Sequence, residues 1–149
     1  MSQENVELVR GAFEDYLAGK SEFDAEGMLT KMNSEDLWDP DIELDATMTS
    51  PSGNTLPDAG GIYRGVEAAR RWWREWLAAW EIIEFEYELV DAGDHVVALI
   101  DQRMRGRSTG IEMPFPKYAH VITLRNGLFV RWKFYLSQSE ALAAVGLQT

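Results

Sequence analysis

Residues 118–135 read YAHVITLRNGLFVRWKFY, and the fold follows from how this stretch is paired. Asn126-Gly127 is a strong two-residue hairpin signal, because both residue types tolerate the positive φ of a type I′ turn. The runs on either side are rich in β-branched and aromatic residues, as strands are. With Asn126 and Gly127 as the loop, Arg125 is expected to face Leu128, and Leu124 to face Phe129. Ile122 then faces Arg131, His120 faces Lys133, and Tyr118 faces Tyr135. Cross-strand partners share a side of the sheet. One face therefore gathers Tyr118, His120, Ile122, Leu124, Phe129, Arg131, Lys133 and Tyr135. The other gathers Ala119, Val121, Thr123, Val130, Trp132 and Phe134.

Further strands precede this hairpin. Phe85 to Leu89 alternates, Ala92-Gly93-Asp94 is turn chemistry, and Val96 to Arg107 reads as a long strand ending at the Ser108-Thr109-Gly110 turn. Met113-Pro114-Phe115-Pro116 cannot donate a regular ladder of hydrogen bonds, which predicts a bulge or an edge. Strands are expected over Tyr118 to Leu124 and Phe129 to Leu136. A short helix over Ser139 to Val145, stopped at Gly146, closes the chain.

The first part reads as helical. Val6, Val9, Phe13, Tyr16 and Leu17 recur at three- and four-residue spacing, predicting a helix over residues 3–19. A second helix is expected after Asp24, burying Met28, Leu29 and Met32. Ile42, Leu44 and Ala46 alternate as a strand after Pro40. Thr47 to Gly61 is a long Pro- and Gly-bearing loop. A third helix follows Gly65, with Trp72, Trp73, Trp76 and Trp80 on a wide apolar stripe. Helices first and a meander afterwards indicate one α+β domain over residues 1–149. Three helices would pack on the concave face of a cone-shaped, curved antiparallel sheet, enclosing a cavity for a small molecule.

Bulk composition narrows the function classes. The 149 residues suit a single core, and the 46% apolar content excludes wholesale disorder. Net charge is −11, all of it in residues 1–63, which hold 3 basic against 14 acidic side chains. An acidic half without a basic stripe argues against nucleic acid and against anionic membranes. No apolar run approaches the roughly 20 residues of a bilayer span, and the polar start lacks a secretory pattern, so a cytoplasmic location is expected. With no cysteine and only His95 and His120 as histidines, metal sites and thiol chemistry lack support, and no nucleotide or phosphate motif implies a cofactor.

Several segments resemble the SnoaL-like branch of the nuclear-transport-factor-two-like superfamily. They are Tyr63-Arg64-Gly65 opening the Trp-rich helix, Ala92-Gly93-Asp94 before a Val-rich strand, Tyr118-Ala119-His120 leading to Arg125-Asn126-Gly127, and Glu140-Ala141-Leu142 with Gly146-Leu147. The resemblance runs in order along nearly the whole chain. It implies a cone-shaped fold that serves polyketide cyclases, ketosteroid isomerases, epoxide hydrolases, dehydratases and non-catalytic binders alike. SnoaL-type cyclases carry an aspartate as general acid/base seven residues before the glycine of the last turn. Here that position holds His120, an imidazole in place of a carboxylate.

The resemblance puts the His120 face inside the cone, with Val130, Trp132 and Phe134 on an outward apolar patch that a homodimer would cover. In an enzyme, His120 is the expected proton carrier, with Tyr135 and Arg131 orienting an oxygen. The competing readings are a structural histidine, and rim positions for Arg131 and Lys133. Asp101, Arg103 and Arg105 share one strand face. They are either an exposed charge ladder or, for Asp101, an interior acid like those of limonene-type epoxide hydrolases. Tyr16 and Asp45 are expected at the cavity mouth. Trp73, Tyr118, Ile122, Phe129 and Lys133 are expected to line the pocket. The functional expectation is a small-molecule-binding domain, either a cofactor-independent cyclase, isomerase or hydrolase, or a non-catalytic binding or dimerisation module.

Overall fold

The computed structural model describes residues 2–20, 38–46, 61–113, 117–135 and 137–147. Helix α1 spans Ser2–Lys20. Strands β1 (Trp38–Asp45) and β2 (Ile62–Arg64) follow, then helix α2 (Val66–Ala79). The remaining strands are β3 (Trp80–Ala92), β4 (His95–Gly106), β5 (Glu112–Met113), β6 (Tyr118–Arg125) and β7 (Leu128–Tyr135). Helix α3 (Gln138–Ala144) ends the series. The expected second helix and almost all of the Thr47–Gly61 loop fall outside the described residues.

The strands form one sheet in the order β2-β1-β7-β6-β4-β3, with β5 paired to β4 beyond the reach of β6. The expected all-antiparallel sheet is corrected at one seam, since β1 pairs β7 in parallel. Parallel neighbours cannot be joined by a tight turn, and here more than half of the chain separates them. Trp80, expected on the helix, instead starts β3, with its N–H bonded to the Trp76 carbonyl as the helix ends. The β6–β7 turn is as expected: Asn126 and Gly127 have φ of 54° and 78°, the left-handed pair that a type I′ hairpin requires.

Alternation sorts the sheet into two faces. On the concave side, Val96, Ala98, Ile100 and Met104 of β4 join Ile122, Leu124, Phe129, Trp132 and Phe134 against α1 and α2, all buried. On the convex side, α3 buries Ala141 and Leu142 against Val97, Ala119 and Val121. Ser137 starts that short helix, its hydroxyl accepting from the Glu140 N–H. No helix among the described residues is long and apolar enough to cross a membrane.

The hairpin departs from the expected register at one residue. Arg125 faces Leu128 and Leu124 faces Phe129, but Thr123 then faces Arg131, leaving Val130 unpaired in a bulge. Beyond it Ile122 faces Trp132, Val121 faces Lys133, His120 faces Phe134, and Ala119 faces Tyr135. An inserted residue exchanges the faces of everything beyond it, because side chains alternate with period two. His120 therefore shares its side with Trp132 and Phe134, while Arg131, Lys133 and Tyr135 lie on the opposite side. The expected face held one half of each.

Candidate functional site

The centre of the concave face is His120, whose side faces the helices and is 2% exposed. Its ring lies among five aromatic rings. Phe134 meets it edge-on at 4.4 Å between centroids, and Tyr118 lies at 5.3 Å and Trp132 at 5.7 Å. Phe13 of α1 and Trp73 of α2 approach at 6.2 and 6.4 Å. From the Trp-rich stripe of α2, Trp73 is the ring that meets the imidazole among the described residues. Trp72 stacks on Phe134 at 5.0 Å and on Trp76 at 5.5 Å.

One hydrogen bond orients the imidazole. Trp132 Nε1–H donates to His120 Nδ1 at 3.0 Å. Among the described residues, Nε2 has no hydrogen-bond partner. Burial alone lowers the His120 pKa to about 3, since no neighbouring charge contributes. A second polar pair lies on the same face, where buried Gln102 donates from Nε2 to the Tyr118 hydroxyl at 2.6 Å. At the α1 edge, the Tyr87 hydroxyl donates to Glu14 at 2.5 Å. Burial and that carboxylate push the Tyr87 pKa up to about 12.

The structure brings together five of the expected site residues on this face: His120, Trp73, Tyr118, Ile122 and Phe129. It separates the others. Arg131 lies on the convex side, its Nε donating to Glu43 at 3.1 Å and its terminal nitrogen reaching Asp45 at 3.4 Å. Lys133 approaches Asp45 at 3.9 Å and stands over the Tyr135 ring. Asp45, expected at the cavity mouth, is a buried anion of this outer network, because the concave places on β1 go to Ile42 and Leu44. Asp101 is exposed on the convex side near Lys117, in line with Arg103 and Arg105. Arg103 pairs with Glu112 and Glu84, and Arg105 pairs with Glu81. That is the exposed charge ladder. The Tyr16 side chain falls outside the described residues.

Sequence reasoning missed Trp132, Phe134 and Gln102 as neighbours of the site. The apolar character of Trp132 and Phe134 was the available signal, and Gln102 continues the inward alternation of Ile100 and Met104. The outward Trp132–Phe134 patch, offered as the cause of a sheet-to-sheet dimer, is replaced by a charged convex surface. No cluster of three or more histidine, aspartate or glutamate side chains arranged for a metal ion occurs among the described residues. An open cleft of about 600 Å³ also exists at the turn end of the sheet, between the start of α1, Asp94-His95 and the β6–β7 turn.

The SnoaL-like domain model matches residues 13–132. The chain belongs to the SnoaL-like domain family. No curated protein matches the sequence significantly. Among solved structures, an NTF2-like protein from Burkholderia xenovorans LB400 is similar over 97% of both chains, with 24% identity and a TM-score of 0.65. An NTF2-like protein of unknown function from Burkholderia pseudomallei K96243 has 20% identity and a TM-score of 0.63, over 96% of this chain and 98% of its own. A ketosteroid isomerase-like fold from Catenulispora acidiphila, solved in complex with trimethylamine, has 17% identity and a TM-score of 0.57, over 90% and 93%. At these identities the likeness is one of fold. SnoaL-like membership therefore identifies the scaffold and leaves the chemistry to the residues on it.

Proposed function

We propose that this SnoaL-like domain binds a small, largely apolar molecule against its concave face, with His120 meeting the molecule's polar group. The observation that carries this reading is the buried imidazole. One ring nitrogen is held by Trp132, and the other has no partner among the described residues. A ligand atom would supply the hydrogen bond that this nitrogen lacks among the described residues. The surrounding rings offer the broad apolar contact that small-molecule sites use.

Cofactor-independent acid/base turnover is a second reading, favoured by the place of His120 at the position matched to the cyclase aspartate. With a pKa near 3, His120 is a poor proton acceptor at neutral pH. In an enzyme its part would be to stabilise developing negative charge on a substrate oxygen. Arg131, Tyr135 and Asp101 are no longer proposed as its helpers, since all three lie on the convex side. A sheet-to-sheet homodimer is not proposed on the ground of an apolar patch either.

Titrating a mixture of small aromatic compounds into ¹⁵N-labelled protein tests the location. Shifts of the Trp73 and Trp132 indole N–H signals are the expected outcome. Shifts confined to Asp94, His95, Thr123 and Asn126 would place binding in the end cleft and overturn the proposal.

A further inference from the structure

The sheet ends on a long strand. β3 is paired along its whole length with β4, and among the described residues no strand lies on its other side. Alternate residues of such an edge turn their N–H and C=O groups outward, where an extended segment can pair with them. The 13 residues of β3 carry five acidic side chains and no basic one. Alternation puts Glu84, Glu86 and Glu88 on the convex side, all exposed, between the half-buried Phe85, Tyr87 and Leu89 of the concave side. Phe13 of α1 already lies against Phe85 and Tyr87. Discrimination of a pairing segment therefore falls to the convex row.

The two halves of that row differ. Glu81 is held by Arg105 and Glu84 by Arg103 across the ladder. Glu86 instead faces Asp101, and like charges set directly opposite one another destabilise a sheet. Lys117 reaches Asp101 at 3.9 Å, whereas Glu86 and Glu88 have no ion-pair partner among the described residues. An open hollow of about 280 Å³ lies against Glu86, Glu88, Leu99 and Asp101. An acidic edge repels a second copy of itself, which keeps exposed strands from pairing with their own kind. That guard needs no further acid on β4. Asp101 opposite Glu86, with Leu99 as an apolar wall beside them, suits the head and stem of a lysine or arginine.

We propose that the stretch of β3 from Glu84 to Val90 is a docking edge for an extended segment of another protein, one that alternates lysine or arginine with small apolar residues. The segment adds to the sheet as a further strand. Backbone pairing attaches it, while Glu86, Glu88 and Asp101 select basic side chains on its convex side. This edge is separate from the concave face and does not depend on what binds there.

Capped peptides of about seven residues, enough to run from Glu84 to Val90, test the two requirements separately. The first alternates lysine and valine, and the second alternates glutamate and valine. The third carries the lysines and valines of the first in two blocks, and the fourth is the first with its backbone nitrogens methylated. Titrated into the ¹⁵N-labelled full chain at low salt, the first should bind at least about tenfold tighter than each of the others. It should slow hydrogen exchange of the outward N–H groups between Glu84 and Val90, and its affinity should fall as salt is added. Joint substitution of Glu86→Lys and Glu88→Lys should weaken it about tenfold and reverse the preference towards the glutamate peptide.

Equal binding of the block or methylated peptide would overturn the proposal, since charge alone would then account for attachment. So would an affinity unchanged by the charge reversal, protection confined to other elements, or no saturable binding of the first peptide. Concentration-dependent protection of β3 in the chain alone would make a second copy the occupant and overturn it as well. Should the charge-reversed variant not fold, joint Glu86→Gln and Glu88→Gln should weaken the first peptide about threefold, and no loss there would equally sink the proposal.

Discussion

The two faces of the β6–β7 hairpin are built from the same eighteen residues and could hardly differ more. The concave side of β7 offers Phe129, Trp132 and Phe134, all buried, and that of β6 offers His120, Ile122 and Leu124. The convex side of β7 offers Arg131 and Lys133, ion-paired to Glu43 and Asp45 on the neighbouring parallel strand. The concave face is held by apolar burial throughout, whereas the convex face combines ion pairs along β7 with the apolar Ala119 and Val121 of β6 beneath α3. Val130, unpaired between them, is what makes the division clean. A regular ladder through the same turn would have set Arg131 and Lys133 beside His120, and Trp132 towards water.

The largest test of the contrast compares neighbours in sequence. Trp132→Ala removes a fully buried indole and the donor to His120, and should cost about 3–5 kcal/mol. Arg131→Ala, one residue earlier, removes a half-exposed partner of Glu43 and Asp45 while Lys133 remains near Asp45. Its cost should be at most about 1 kcal/mol. Chemical denaturation of both variants measures the gap. Equal losses would mean that the faces are not divided as described.

A smaller effect comes from pH. His120 titrates near 3 in the folded chain, against about 6.5 when unfolded, so between these values only the unfolded state takes up the proton. Stability from keeping the ring neutral is thus complete above about pH 6.5 and is lost as pH falls towards 3. The slope approaches 1.4 kcal/mol per pH unit inside that window. Carboxylates titrate there too, so the useful quantity is the difference between wild type and His120→Gln. From pH 6.5 to 4.5 the wild type should lose about 2 kcal/mol more than the variant. Parallel pH profiles would show that His120 is not buried neutral.

How far the sequence could be read follows from the same hairpin. The turn was readable because Asn-Gly has a specific backbone need, and the charge ladder of β4 because its alternation is unbroken. Two cues conflicted about the site. Apolar patterning wanted Trp132 and Phe134 inside, while the family resemblance wanted His120 inside, and a regular register allowed only one of them. Both cues were right. Val130 is a β-branched residue in a run of strand formers, and nothing in its side chain marks it as the bulged position, which depends on how the two strands pack in three dimensions. The parallel β1–β7 seam was hidden for a related reason, since local pattern carries no record of a partner more than eighty residues away.

The smallest expected effect is the one most specific to this argument. Deleting Val130 leaves Phe129 paired with Leu124 and lets Arg131 follow it directly opposite Thr123, so alternation alone keeps Phe129 inward, Arg131 outward and Trp132 inward. The deletion removes a half-buried isopropyl group and the extra local twist of a bulge, while restoring an ordinary ladder. These terms oppose one another, and the net change in stability should stay within about 1 kcal/mol. Cross-strand contacts between Thr123 and Arg131, and between His120 and Phe134, should persist in NMR spectra of the deletion variant. A loss of several kcal/mol with those contacts gone would mean that the bulge does more than absorb one residue. Its twist would then be what curves the hairpin so that His120 comes under Phe13 and Trp73, and the concave face would depend on Val130 as much as on the aromatic rings that fill it.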